Sequence, residues 1–238
     1  MSRGVFGLAG AVLRDPIGVV EAHQDAESLR EVVVPLLGIA AVGCGIFGVV
    51  VGGYRGGLQV PFAALKMPAL LWIPVILTLP ACRAFFAAAE IEVSWNRMTI
   101  AGLVAMARTA VLAAAIGPVV WLVYSLQPSY HLAVLLLAAT LGLVGLPGLS
   151  VLARSMPTGG RNRWMAALAS VVVLAICTAQ TGWVLRPFVA RPAAEVTFLR
   201  PLEEDVFSSL GATTRSATGD YSKDWQPERK GMFGGRGR

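Results

Sequence analysis

Charge is what this sequence has least of. Of its 238 residues 14% are charged and 55% hydrophobic, where an average soluble domain carries roughly a quarter charged residues. The shortage excludes a soluble globular core, whose elements need polar residues along their whole length, and the apolar content excludes intrinsic disorder. Histidine is reduced to His23 and His131, and no carboxylate lies well inside any long apolar run. Metal clusters, acid/base dyads and a Ser-His hydrolase pair therefore all lack members. The three cysteines (Cys44, Cys82, Cys177) fall far apart inside apolar runs. Without a C-x-x-C pair they exclude a disulfide scaffold and read as small buried hydrophobes. No catalytic residue, cofactor site or metal site is expected, and the chain reads as a non-enzyme. Lysine is scarce as well, at three (Lys66, Lys223, Lys230) against 17 arginines, a bias that suggests a GC-rich bacterial genome.

What is present is a set of long uncharged runs. A helix needs about 20 apolar residues to cross about 30 Å of hydrocarbon, and five runs qualify: Val32 to Tyr54, Val60 to Cys82, Met98 to Leu126, His131 to Ala153 and Trp164 to Leu185. The expected fold is all-α: a five-helix transmembrane bundle over 32–185, preceded by an amphipathic interfacial segment over 1–31. An ordered extramembrane segment over 186–210 and a flexible or partner-bound tail over 211–238 complete the chain. The start, Gly4 to Leu13, is too short and lacks the cleavage site for a signal peptide, so it reads as mature chain. Phe6, Ala9, Val12 and Leu13 lie near one helical face there, and a second amphipathic stretch runs from Ile17 to Val32 behind Asp15-Pro16. Counting Lys and Arg on alternate sides of five spans gives nine on the N-terminal side against five opposite. That asymmetry places the N-terminus in the cytoplasm and the C-terminus outside a bacterial inner membrane.

Glycine and proline punctuate the runs. Gly43-Cys44-Gly45-Ile46-Phe47-Gly48 is a literal G-x-G-x-x-G, but it lies mid-span with no strand before it, which removes the dinucleotide reading. Gly45, Gly48, Gly52 and Gly56 read instead as a helix-packing face. Proline enters four spans, most densely at Pro61, Pro68, Pro74 and Pro80, so the second is expected to be bent or broken. Arg108 in the third span is placed just short of the inner boundary, close enough to snorkel out. Glu90 and Glu92 are expected to pair with Arg83 and Arg97.

Two segments are too particular for generic bundle sequence. One is Gly53-Tyr54-Arg55-Gly56-Gly57-Leu58-Gln59, continuing through Ala63-Ala64-Leu65-Lys66-Met67-Pro68. The other is Trp183-Val184-Leu185-Arg186-Pro187-Phe188-Val189, continuing through Pro192 to Phe198-Leu199-Arg200-Pro201. At these residues the chain resembles a group of bacterial multi-pass membrane proteins loosely similar to the five-span Yip1 family. The resemblance implies five helices, a cytoplasmic N-terminus and a membrane-organising role without catalysis.

The function expected on this basis is a non-catalytic subunit or scaffold of an inner-membrane assembly. A small-solute transporter or channel, using the kinked second span and a Thr178, Gln180, Thr181 patch, is the alternative, and a membrane-embedded enzyme the third reading. The expected partners are the lipid bilayer and other membrane proteins, or a second copy of the chain; nucleic acid is not among them. Arg186, Phe188, Arg191, Phe198, Arg200 and Phe207, beyond the last span, are the expected partner contacts.

Overall fold

The computed structural model describes residues 4–126, 130–157, 162–189 and Phe198. They form seven helices: α1 (Val5–Arg14), α2 (Pro16–Ala22), α3 (Ala26–Gly53), α4 (Gln59–Ala88), α5 (Trp95–Ser125), α6 (Tyr130–Arg154) and α7 (Arg163–Val184). Five of them, α3 to α7, are long and apolar enough to span a bilayer. The chain is therefore a multi-pass membrane protein with an all-α fold.

Short connectors make successive spans antiparallel, so the bundle has two rims. The first rim carries the start of α3, the end of α4, the start of α5, the end of α6 and the start of α7; the second carries their other ends. At the centre, α3 packs against both α4 and α5, while α7 leans on α4 and α6 on α5. Glycine permits the close central contacts. A Cβ on Gly43 would stand 2.7 Å from Ala110 O of α5. On Gly48 it would stand 2.5 Å from Ala63 O of α4, and on Gly52 2.6 Å from Val60 Cα. Only a residue without a side chain lets backbone approach backbone so closely. Gly45, on the same helix, has an ordinary separation, with 3.9 Å from its would-be Cβ to Ala64 O. Gly56 departs from the expected packing face: it lies beyond the end of α3 in open space with φ +79°, so its absent side chain serves a left-handed turn.

The helices outrun the apolar stretches that announce them. α3 begins at Ala26 because the Asp25 carboxylate accepts the Ser28 amide at 3.0 Å and ends the preceding connector. The expected continuous stretch from Ile17 to Val32 is thus two helices with a break at His23 to Asp25. In α1 the face turned to the bundle is Leu8, Ala11 and Val12, whereas Phe6, expected beside Val12, is 94% exposed. α1 and α2 pack on α5, so they belong to the bundle's first rim rather than standing apart from it.

α4 runs unbroken from Gln59 to Ala88 through Pro68, Pro74 and Pro80, so of the expected bend or break the break does not occur. Each proline frees one carbonyl a turn earlier, but unwinding the helix would free several more where no water can replace them. At the first rim Arg83 and Arg97 are engaged by carbonyls rather than by the expected Glu90 and Glu92. Arg83 Nε donates to Val93 O at 3.2 Å with its guanidinium 4.8 Å from the Trp95 ring centroid. Arg97 Nε donates to Ser155 O at 2.7 Å and its Nη1 to Gln24 Oε1 at 3.1 Å. Arg163 Nη2 donates to Ala153 O and Met156 O. Cations thus satisfy the open carbonyl end of α6, where the helix dipole favours them.

Candidate functional site: a polar clasp at the second rim

The two segments singled out in the sequence meet in space. Gln59, Phe62 and Lys66 stand at i, i+3 and i+7 of α4 and so line one face. One turn further along, the would-be Cβ of Gly182 on α7 lies 3.4 Å from Leu70 Cδ1. The face that receives α7 therefore continues, above the end of that helix, to receive the chain that follows it.

The contacts are specific. Gln59 Nε2 donates to Pro187 O at 3.1 Å and to Phe188 O at 2.7 Å. Lys66 Nζ donates to the same Pro187 O at 3.1 Å. Both side chains are buried, Gln59 at 0% and Lys66 at 1% exposure. Phenyl rings flank the ammonium, with the Phe198 centroid 5.0 Å and the Phe188 centroid 6.0 Å from Nζ. Phe198 also meets Phe62 edge-to-face at 5.2 Å. A cation near aromatic faces gains about 2 kcal/mol or more when desolvated, and charged hydrogen bonds contribute about 1.5–3 kcal/mol each. The clasp thus offsets part of the cost of burying Lys66, and it gives two carbonyls outside any helix their donors.

The Gln59 amide has a fixed orientation, because two facing carbonyls require its NH2. Its Oε1 is buried and has no hydrogen-bond partner among the described residues. Beside the clasp, Arg186 lays its guanidinium 3.5 Å from the Trp183 ring centroid. Tyr54 and Tyr124 pack edge-to-face at 5.2 Å on the same rim, and the Tyr124 hydroxyl donates to Ala133 O at 3.1 Å.

Of the expected partner contacts, Phe188 is instead buried against its own chain, since the clasp draws its backbone onto α4. Phe198 touches Phe62 and Lys66 but keeps 43% exposure. Arg186 stacks on Trp183, while Arg191, Arg200 and Phe207 lie outside the described residues, as does the whole of 211–238. Within the bundle, four serine and threonine hydroxyls turn back on their own helices. Thr78, Ser170, Thr178 and Thr181 donate to carbonyls four residues earlier at 2.7–2.8 Å. The patch expected for a solute path is therefore divided: Thr178 and Thr181 are engaged in this way and Gln180 is exposed on the outside of α7. A 220 Å³ groove between α5 and α6 is lined by aliphatic residues such as Val119, Val123, Leu136 and Leu143, with Thr140 its hydroxyl. Among the described residues no group of three or more His, Cys, Asp or Glu gathers.

The sequence places Lys66 in one of the two distinctive segments and among the topology charges, but names no partner for it. The signal that could have found it is the pairing of Gln59 and Lys66 on one face of an otherwise apolar helix, where polar groups need buried partners. Compared with known proteins, the chain matches no family model, no curated protein and no solved structure.

Proposed function

We propose that the chain is a non-catalytic membrane subunit, a scaffold of a bacterial inner-membrane assembly, with the arginine-bearing first rim in the cytoplasm and the clasp rim outside. The observation that carries this reading is the clasp. Gln59 and Lys66, two strongly polar groups within a span, hold backbone and thereby fix the point from which the chain leaves the membrane. Polar chemistry inside the bundle thus serves a docking platform, in keeping with the membrane-organising role implied by the resemblance to Yip1 proteins. The nine-to-five arginine and lysine asymmetry supports the orientation.

The test is extraction at native expression level in a mild detergent, followed by native electrophoresis and mass determination. A subunit migrates in a defined complex larger than one 25.0 kDa chain and its micelle. A lone monomer that moves a solute across liposome membranes after reconstitution would replace this reading with transport.

A further inference from the structure

We infer that Arg108 is the intramembrane contact by which the chain holds its partner, and that it takes a carboxylate carried on an apolar helix of another subunit. This inference rests on the subunit reading given above and names the chemistry of one contact in it.

Arg108 lies 11 residues along α5 from Arg97, whose bond to Ser155 O marks the first rim just past the end of α6. That is about 16 Å of helix, more than twice the span of an arginine side chain. From Trp121, towards the second rim, it is 13 residues or about 20 Å. Snorkelling to a headgroup from the first-rim boundary, expected from the sequence, does not cover that depth.

Its position on α5 is set by its neighbours. Ala110, about 200° further round the helix, abuts α3, its carbonyl 2.7 Å from the would-be Cβ of Gly43. Ala105, one turn back, borders α6, with its carbonyl 2.9 Å from the would-be Cβ of Gly148. Arg108 therefore lies beside α6 on the side of α5 away from α3, at the edge where that side passes from the fully buried Ala101 and Val104, nearer the first rim, to the exposed Ala115. It is half-buried, and its Nε is shut from solvent without a hydrogen-bond partner among the described residues.

Charge decides the occupant. From α4 to α7 the spans hold no aspartate or glutamate, and Glu27 and Glu31 of α3 lie in its first two turns at the first rim. A guanidinium at this depth is costly unless it is paired, and this chain brings no carboxylate to it within the spans. A second copy brings none either, so the complementary group belongs to a different chain.

The experiment uses the full chain in its native membrane. A photo-crosslinking residue at Ala115, exposed and two turns from Arg108 on the same face, should form an adduct within an apolar segment containing Asp or Glu. Arg108→Leu should lower the yield of the native complex by roughly tenfold, whereas Arg108→Lys should retain most of it. Exchanging the charges, Arg108→Glu with the partner's carboxylate changed to Arg, should restore assembly. The inference is overturned if Arg108→Leu assembles like wild type. It is equally overturned if the adduct is a phospholipid, a second copy of the chain, or a segment without a carboxylate. Should Arg108→Leu lose its thermal transition, the Lys variant and the charge exchange still decide. A wild-type chain extracted as a monomer would contradict the subunit reading itself, while an intact complex indifferent to Arg108 contradicts only this contact.

Discussion

Replacing Gly48 with alanine puts a Cβ 2.5 Å from Ala63 O, 2.7 Å from Ala64 Cα and 2.8 Å from Ala63 C. All three are backbone atoms of α4, so no side-chain rotation relieves the clash. Helices α3 and α4 must part by about 1 Å at that level to reach ordinary contact, and the dispersion contacts above and below weaken with them. Overpacking of this kind costs about 1–3 kcal/mol. Alanine's better helix propensity offsets about 1 kcal/mol, leaving Gly48→Ala less stable by up to about 2 kcal/mol. Gly48→Leu should fall at the upper end of the overpacking range or beyond it. The controls sit on the same helix: a Cβ on Gly38 meets nothing within 4 Å, and one on Gly45 reaches only 3.9 Å from Ala64 O. Both Gly→Ala changes there should be neutral or slightly stabilising. Reversible unfolding in mixed micelles, read by tryptophan fluorescence, compares the series. If Gly48→Ala matched Gly38→Ala, the α3–α4 contact would be looser than described and the reasoning from glycine would fail.

Three further outcomes follow from the geometry. Gln59→Leu leaves Phe188 O buried without its donor, a loss of about 1–3 kcal/mol, while Pro187 O keeps the Lys66 ammonium; hydrogen exchange and proteolysis at 186–189 should accelerate, as should those of Lys66→Met, and unchanged protection would show that the clasp holds nothing. Gly56→Ala should destabilise by about 1–2 kcal/mol through backbone strain at φ +79° despite the open space around it, so a neutral result in the same unfolding assay would contradict the turn assignment. The Asp25 carboxyl, held below its ordinary 3.8 chiefly by the Ser28 hydroxyl and then by the Ser28 amide, should titrate below that value by carbon NMR. Its cap on α3 is then fully present above pH 3.8 and lost as pH falls through the lowered value; a midpoint at or above 3.8, or no rise in Ser28→Ala, would refute the cap.

Much of this fold is legible in the sequence, because in a membrane the apolar run itself fixes the element. The helix ends are not, since hydropathy marks the edge of hydrocarbon while the hydrogen-bond ladder continues past it. α4 passes Arg83 to end at Ala88, and α3 starts at Ala26. Asp25 and Ser94, capping residues that accept the Ser28 and Arg97 amides, are the local signals that would have set the starts of α3 and α5. Pro68, Pro74 and Pro80 mark no helix end: their cost is local, and the surrounding lipid makes unwinding costlier still. The clasp was half legible. Both of its segments stand out by composition, but a contact between Lys66 and Pro187 spans 121 residues and has no periodicity to betray it. Phe188 looked like a partner contact because an apolar residue outside a span needs cover; the cover is this chain's own α4.

The most direct test of the account is the sidedness of the two rims. In a chain with Cys44, Cys82 and Cys177 replaced, single cysteines at Leu58, beside the clasp, and at Glu92, in the first-rim connector, are both exposed to an impermeant maleimide. Five crossings predict that Ser2→Cys and Ser222→Cys react from opposite sides, and the proposed cytoplasmic N-terminus adds that intact cells label Leu58→Cys and not Glu92→Cys. Labelling of Ser2→Cys and Ser222→Cys from the same side would contradict the odd number of spans, and labelling of Glu92→Cys but not Leu58→Cys would contradict the proposed outer placement of the clasp.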